Sequence, residues 1–172
     1  MKVFRNIATA LIGALLMGCS SIDCNLNGRV LCHYVVNNDD GQEVTFPYPF
    51  SAVFMRQATD SDTVYINRQA NVSSFDLPMS YGCTTDAIIL SLEKPVRIEE
   101  KDTLLILNDT IWVSKTNTPI FESVDCAPRY RHNIDKVEHT STFIESITIN
   151  NEKVTNESSE PNIILHPRPF DD

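Results

Sequence analysis

The feature that most restricts how this chain can fold is its punctuation. Short β-rich runs recur at 30–36, 52–55, 63–67, 87–92, 104–107, 110–114, 147–149 and 163–165, and between them stand Pro47, Pro49, Pro78, Pro95, Pro119, Pro128 and Pro161 with many Asn and Asp residues. Proline withholds a ladder donor, and Asn and Asp tolerate turn geometry, so this spacing favours a β-sandwich or barrel over helices. Strand periodicity supports it. Val30, Cys32, Tyr34 and Val36 share one face of the first run while Leu31, His33 and Val35 share the other, and Val64 and Ile66 alternate with Thr63, Tyr65 and Asn67, which predicts one buried and one wet face.

The run Leu104-Leu-Ile-Leu107, then Asn108-Asp109, then Thr110-Ile-Trp-Val113 reads as a tight hairpin, since both turn residues accept positive φ. Its first arm is apolar on both faces, which predicts a central place in a sheet. Trp112, the single tryptophan, is expected in the core or between sheets because of the area it brings, rather than as an exposed sugar platform. Residues 93–102 read as a charged loop or an extended hairpin tip, and 167–172 as a flexible tail.

The N-terminus carries Lys2 and Arg5, an apolar run over residues 7–17, and then Leu16-Met17-Gly18-Cys19, the architecture of a bacterial lipoprotein signal. The run is shorter than the roughly 20 residues needed to span a bilayer. Cleavage before Cys19 would leave that residue carrying acyl chains, and two or three chains anchor far more durably than one. The expected organisation is a signal peptide over 1–18, a lipidated tether over 19–27, one β-domain over 28–166 and the tail over 167–172.

Loss of the signal removes Lys2 and Arg5 and no acid, so the formal charge falls from −9 to −11. Nucleic-acid binding needs a basic patch that releases counterions, and the densest basic pair, Arg129 and Arg131, is flanked by Asp125 and Asp135. A nucleic-acid partner is therefore not expected. Polyanionic headgroups are disfavoured on the same ground, so membrane attachment should rest on the lipid.

With Cys19 assigned to lipid, Cys24, Cys32, Cys83 and Cys126 remain. An even number in an exported chain predicts disulfides, with three possible pairings. A bridge from Cys126 to Cys24 or Cys32 would close a long loop, worth ~3–5 kcal/mol in the chain-entropy model. None of the four stands in a C-x-x-C, and His33, His132, His139 and His166 lack zinc-like spacing, so neither a metal nor a cofactor is expected.

The ordered series Cys24-Asn-Leu-Asn-Gly-Arg-Val-Leu-Cys32-His-Tyr34, Asp62-Thr-Val-Tyr-Ile-Asn67-Arg, Leu77-Pro-Met-Ser-Tyr81, Asp109-Thr-Ile-Trp-Val113 and Thr118-Pro-Ile-Phe121-Glu-Ser-Val-Asp125-Cys126 resembles an uncharacterised family of Bacteroidetes lipoproteins, the DUF6452 domain of unknown function. His132-Asn-Ile134, Val137-Glu-His-Thr140 and Phe143-Ile-Glu-Ser-Ile147 continue the likeness. The resemblance implies an all-β, immunoglobulin-like antiparallel β-sandwich in a Gram-negative envelope, and implies no catalytic residue. The chain departs from the pattern at Cys83 and near Glu99. In that lineage an acidic run after the lipidated cysteine directs export to the surface. Here Ser20-Ser-Ile-Asp23-Cys24 holds one acid, which favours an outer-membrane lipoprotein facing the periplasm. The same lineage places O-glycans at Asp-Ser/Thr followed by an apolar residue, which nominates Thr63, Thr103 and Thr110; Asp-Thr also simply begins strands after turns.

For function, the favoured expectation is a non-catalytic, membrane-anchored domain binding an envelope protein or a glycan through its loops. An enzyme is the alternative, with Cys126, His132 and Asp135 as a thiol constellation or a carboxylate pair drawn from Glu99, Glu122 and Glu145. A cation site at Asp60 and Asp62, or at Asp39 and Asp40, is a third reading, although neither pair has EF-hand spacing.

Overall fold

The computed structural model describes residues 30–55, 62–121, 126, 128–155 and 160–170. Ten strands follow in chain order: β1 (Leu31–Val36), β2 (Phe50–Met55), β3 (Thr63–Gln69), β4 (Ser74–Pro78), β5 (Thr85–Ile98), β6 (Lys101–Ile120), β7 (Arg129–His139), β8 (Ile144–Ile149), β9 (Lys153–Val154) and β10 (Ile163–Pro167). No helix occurs among the described residues. The strands form a four-stranded sheet, β4-β1-β10-β8, and a six-stranded sheet, β3-β2-β5-β6-β7-β9. The fold is all-β, but it is not wholly antiparallel: β1 and β10 pair in parallel, Tyr34 opposite Ile163 and Val36 opposite Leu165. Parallel neighbours need a long connection, and here the whole six-stranded sheet intervenes between them.

Both sheets contribute to one core. β1 buries Cys32, Tyr34 and Val36 and turns Leu31, His33 and Val35 outward, as its period of two predicts. Tyr34 stacks on Phe75 and Phe50 packs on Phe75, each with ring centroids 5.0 Å apart, while Phe46 bridges Phe50 at 5.0 Å and Phe143 at 5.8 Å. Aromatic side chains of β1, β4, β2 and two loops thus form a continuous seam between the sheets, each ring carrying a large apolar area out of water. β3 is an edge strand and keeps less of its expected pattern: Ile66 is half-buried but Val64 is exposed.

β6 organises the larger sheet. Its 20 residues extend ~65 Å at about 3.3 Å per residue. The expected turn at Asn108-Asp109 does not exist, and the chain passes straight through it, paired with β5 from Ile98–Lys101 to Thr85–Ser114. The real turn lies at Glu99-Glu100, where φ is 47° and 64°, the paired positive values of a type I′ connection. Residues 93–102 are accordingly the extended hairpin tip rather than a loop. Asp109 escapes the turn because its carboxylate is buried and engaged elsewhere. Oδ1 accepts from Thr140 Oγ1 (2.7 Å) and the Thr142 amide (2.7 Å), and Oδ2 from the amides of Phe143 (2.7 Å) and Ile144 (2.8 Å). Four donors tie the 140–144 connection to the middle of β6.

Two further expectations change. Leu104, Leu105 and Ile106 are not central but exposed, at 55%, 46% and 59% of their surface. Trp112 lies half-buried on the outer face of β6, in register with Ala87 and Glu138, since Ile111 and Val113 take the core positions on either side. In the C-terminal segment, Arg168 donates its amide to Phe143 O (2.8 Å) and Nη2 to Ser141 Oγ (2.8 Å), and Phe170 meets Tyr48 edge-on at 5.8 Å. Those contacts dock residues 168 and 170 on the domain.

Candidate functional site

The core-facing row of β6 carries a polar residue at each end of its apolar stretch: Asp109, then Ile111 and Val113, then Lys115. What lies beyond each polar residue differs, and so defines two ends of the molecule.

At the near end Lys115 Nζ is fully buried, 2.7 Å from Asp86 Oδ2 of β5 and 3.1 Å from Cys83 O. Ser80 N donates to the same Asp86 oxygen at 3.2 Å, whereas Asp86 Oδ1 is buried with no protein partner. Burial raises the Asp86 carboxyl above its ordinary range, and the hydrogen bond and charge of Lys115 hold that rise back. Asn117 Nδ2 donates to Tyr81 O (3.1 Å) and Cys83 O (2.8 Å). Its Oδ1 is therefore an acceptor, and His132 Nδ1, 2.7 Å away, must carry a proton. Burial, then the charge of Lys115, brings the His132 imidazolium down to about 4, so the ring stays neutral at physiological pH. The network joins β5, β6, β7 and the 79–84 connection. Every donor of Lys115 and Asn117 named here is spent on that connection or on Asp86, so the arrangement is built to hold the 79–84 segment.

Above this network the core-facing row leaves the protein. Pro119 is in register with Tyr130, Tyr130 stacks on Tyr81 at 5.0 Å with rings 16° apart, and Phe121 follows. Phe121 and Tyr81 are 71% and 69% exposed.

At the far end β5 and β6 continue as a two-stranded arm. β2 pairs with β5 only as far as Leu92, and β7 with β6 only from Ile111. Between Glu93–Ile106 and Ile98–Lys101 the two strands pair only with each other among the described residues, leaving both outer edges open. The base is fastened by Arg68–Glu93 (2.8 Å), by Glu93 N to Pro49 O (3.1 Å), and by Lys94 over the Tyr48 ring at 5.7 Å. The outer part exposes Ile98 and Leu105 on one face and Leu104 and Ile106 on the other. It is the largest cluster of exposed aliphatic side chains among the described residues, joined to unpaired strand edges, a combination that associates readily with another chain.

The residues nominated by sequence are scattered. Cys19 and Cys24 lie outside the described residues. Cys32 and Cys83 carry free thiols, so neither takes the disulfide role expected of it, and Cys126 is disulfide-bonded. Cys32 sits on the core face of β1, where burial pushes its thiol up to about 12, partly offset by the hydrogen bond with Tyr34. Burial also holds the Tyr34 phenol well above its ordinary value. Thr103 is exposed on the arm, whereas Thr63 and Thr110 are half-buried, and the Asp109 preceding Thr110 is consumed internally. His132 faces the core and Asp135 faces solvent with Thr116 Oγ1 on its Oδ2 (2.9 Å), so strand alternation separates them and a thiol triad with Cys126 is not assembled. Glu99 stands at the arm tip and Glu145 on β8 of the other sheet, while Glu122 is outside the described residues. Asp39, Asp40 and Asp62 are exposed, Asp60 is not described, and no group of three metal-ligating side chains occurs among the described residues.

Sequence reasoning missed the Asp86–Lys115–His132–Asn117 network. The signal was present: Ile111, Val113 and Lys115 share one face of an alternating strand, which placed a lysine in an otherwise apolar row.

The fold and its two ends define a small all-β domain of two sheets with one projecting hairpin. The chain belongs to a family of unknown function, DUF6452, whose profile matches residues 52–167, from the second strand to the last. No curated protein and no solved structure gives a match.

Proposed function

We propose that this chain is a non-catalytic lipoprotein of a Bacteroidetes cell envelope, an immunoglobulin-like sandwich anchored through lipid on Cys19 at the outer membrane, facing the periplasm, and binding a protein partner through the β5–β6 arm. The observation that carries this reading is the arm: aliphatic side chains exposed on both faces, two open strand edges, and a direction opposite to the end where the chain enters β1. Open edges offer backbone pairing and the alternating side chains offer pockets or knobs, the means by which strand addition recognises a polypeptide. Aliphatic surface of this kind suits a protein better than a glycan, whose hydroxyls would meet few polar partners. With lipid on Cys19 and thiols at Cys32 and Cys83, Cys24 is the partner that remains for Cys126.

The test is site-specific photocrosslinking in cells. A photoreactive residue at Leu105 should capture one defined envelope protein, and the adduct should vanish with Ile106→Lys while the protein still reaches the membrane. The same residue at Val64, exposed on the β3 edge, should capture none. Equal capture at both positions, or none at Leu105, would overturn the proposal. An unshifted intact mass for Cys19 in the purified N-terminal peptide would remove the anchor.

A further inference from the structure

We infer that the near end of the molecule, formed by Tyr81, Tyr130 and Phe121, rests in the headgroup zone of the lipid bilayer. The inference relies on the proposed anchor at Cys19 and adds a second contact with the same membrane. Four observations converge on it.

First, the two most exposed large apolar side chains among the described residues, Phe121 and Tyr81, are both at this end. Tyr81 is held by its stacking on Tyr130, by Asn117 on its carbonyl and by Asn117 and Lys115 on the carbonyl of Cys83 two residues later. A buried ion pair and a neutral histidine thus serve to present an exposed ring. Aromatic side chains with one apolar body and one polar handle are the residues that concentrate at membrane–water interfaces.

Second, the chain enters the fold here. Val30 precedes Leu31, which pairs with Pro78 at the end of β4, directly before the 79–84 connection. Cys19 is eleven residues before Val30. Eleven extended residues reach at most ~36–40 Å. A lipid on Cys19 therefore keeps this end within at most ~40 Å of the bilayer surface.

Third, basic residues flank the aromatic cluster. Arg129 and Arg131 stand beside Tyr130, and Glu122 and Asp125 lie next to them in sequence. The overall acidity of the chain would oppose an anionic membrane, so the contact is with zwitterionic headgroups, whose phosphates Arg129 and Arg131 can face on either side of Tyr130.

Fourth, the far end is unsuited to the same role. The arm tip carries Glu99, Glu100 and Asp102 with Arg97 and Lys101, five charged groups at the point of the projection that would have to enter the headgroup region first. The two ends therefore divide the surroundings between them: aromatic rings towards lipid, aliphatic arm away from it.

The experiment uses the mature lipidated chain reconstituted in phosphatidylcholine vesicles. Trp112, the only tryptophan and one on the outer face of β6 away from this end, supplies the reference fluorescence. Phe121→Trp adds a reporter at the near end. With brominated phosphatidylcholine the F121W chain should lose at least twice the fraction of tryptophan emission lost by the unsubstituted chain. In the unsubstituted chain, nitration of Tyr81 by tetranitromethane should slow at least fivefold on vesicles relative to detergent-free solution, while Tyr65 on β3 keeps its rate. The second measurement holds if F121W folds poorly. A chain that floats with the vesicles yet shows neither quenching at residue 121 nor protection of Tyr81 overturns the inference and leaves the anchor standing. A chain that does not float overturns the anchor and this inference with it. Protection of Tyr81 that grows with protein concentration and without lipid assigns the surface to a second copy instead, which also overturns it.

Discussion

The two ends of the β5–β6 hairpin are built from opposite materials. At the near end the core-facing row carries Lys115 and Asn117 with Asp86 and His132 as partners, polar groups buried or half-buried between strands, bound pairwise at 2.7 Å and to the Cys83 carbonyl at 2.8–3.1 Å. At the far end the same rows carry Ile98 and Leu105, apolar groups left in water. The difference teaches that burial and polarity were exchanged for a reason in each place. Buried polar groups specify one arrangement because every alternative leaves a charge unpaired, so they fix a loop. Exposed aliphatic groups specify nothing within the domain and gain their stabilisation from whatever covers them.

Breaking the near end should cost the most. Cys126→Ser removes a cross-link that, if it joins Cys24, closes a loop of about 100 residues worth ~4–5 kcal/mol in the chain-entropy model. Denaturant titration of the oxidised and substituted proteins measures it. Lys115→Met leaves Asp86 buried without its cation and should cost ~3–5 kcal/mol by the same titration. The double change Lys115→Met with Asp86→Leu should cost less than Lys115→Met alone, because no orphaned charge remains.

Acid sharpens the same region. His132 is held near 4 in the folded chain against an ordinary 6.5, so between those values the unfolded chain binds the extra proton. Its contribution is present above pH 6.5 and is lost as pH falls towards 4, roughly 3 kcal/mol in all. Asp86, raised by burial, keeps its proton to higher pH when folded and so acts in the opposite sense as pH falls. The readout is therefore the difference in unfolding free energy between the wild-type chain and His132→Gln, which should shrink steadily from pH 7 to pH 4. A difference independent of pH would contradict the assignment of a neutral, buried ring.

The far end should show the smallest effect on stability. Leu104→Lys or Ile106→Lys alters a solvated surface and should change the unfolding free energy by no more than about 0.5 kcal/mol, while the Leu105 crosslink is lost. An arm substitution as costly as Lys115→Met would erase the contrast between the ends.

The sequence discloses the elements well and their use poorly. The alternation of Cys32, Tyr34 and Val36 predicts a buried face and finds one, but a core-facing cysteine suits a bridge as well as a free thiol, so the pattern did not disclose that Cys32 is unpaired. The Asn108-Asp109 turn fails because its chemistry is satisfied from afar: Asp109 accepts from residues 140–144, more than 30 positions away, and no local pattern carries that information. Leu104 to Leu107 fails for a related reason. A strand apolar on both faces fits the middle of a sheet and equally an exposed, projecting arm, and only the limits of β2 and β7 reveal which. The near-end network was hidden because Asp86, Lys115 and His132 come together only through strand register.

A near end resting on the membrane and a far end covered by a partner would respond differently to lipid alone and to the native envelope. Hydrogen exchange of the lipidated protein, compared between pure phosphatidylcholine vesicles and isolated native envelopes, tests that difference most directly. The account predicts equal protection of the 79–84 and 119–121 segments in both, and added protection of residues 101–107 in native envelopes alone. Identical exchange of the arm in the two membranes would contradict it.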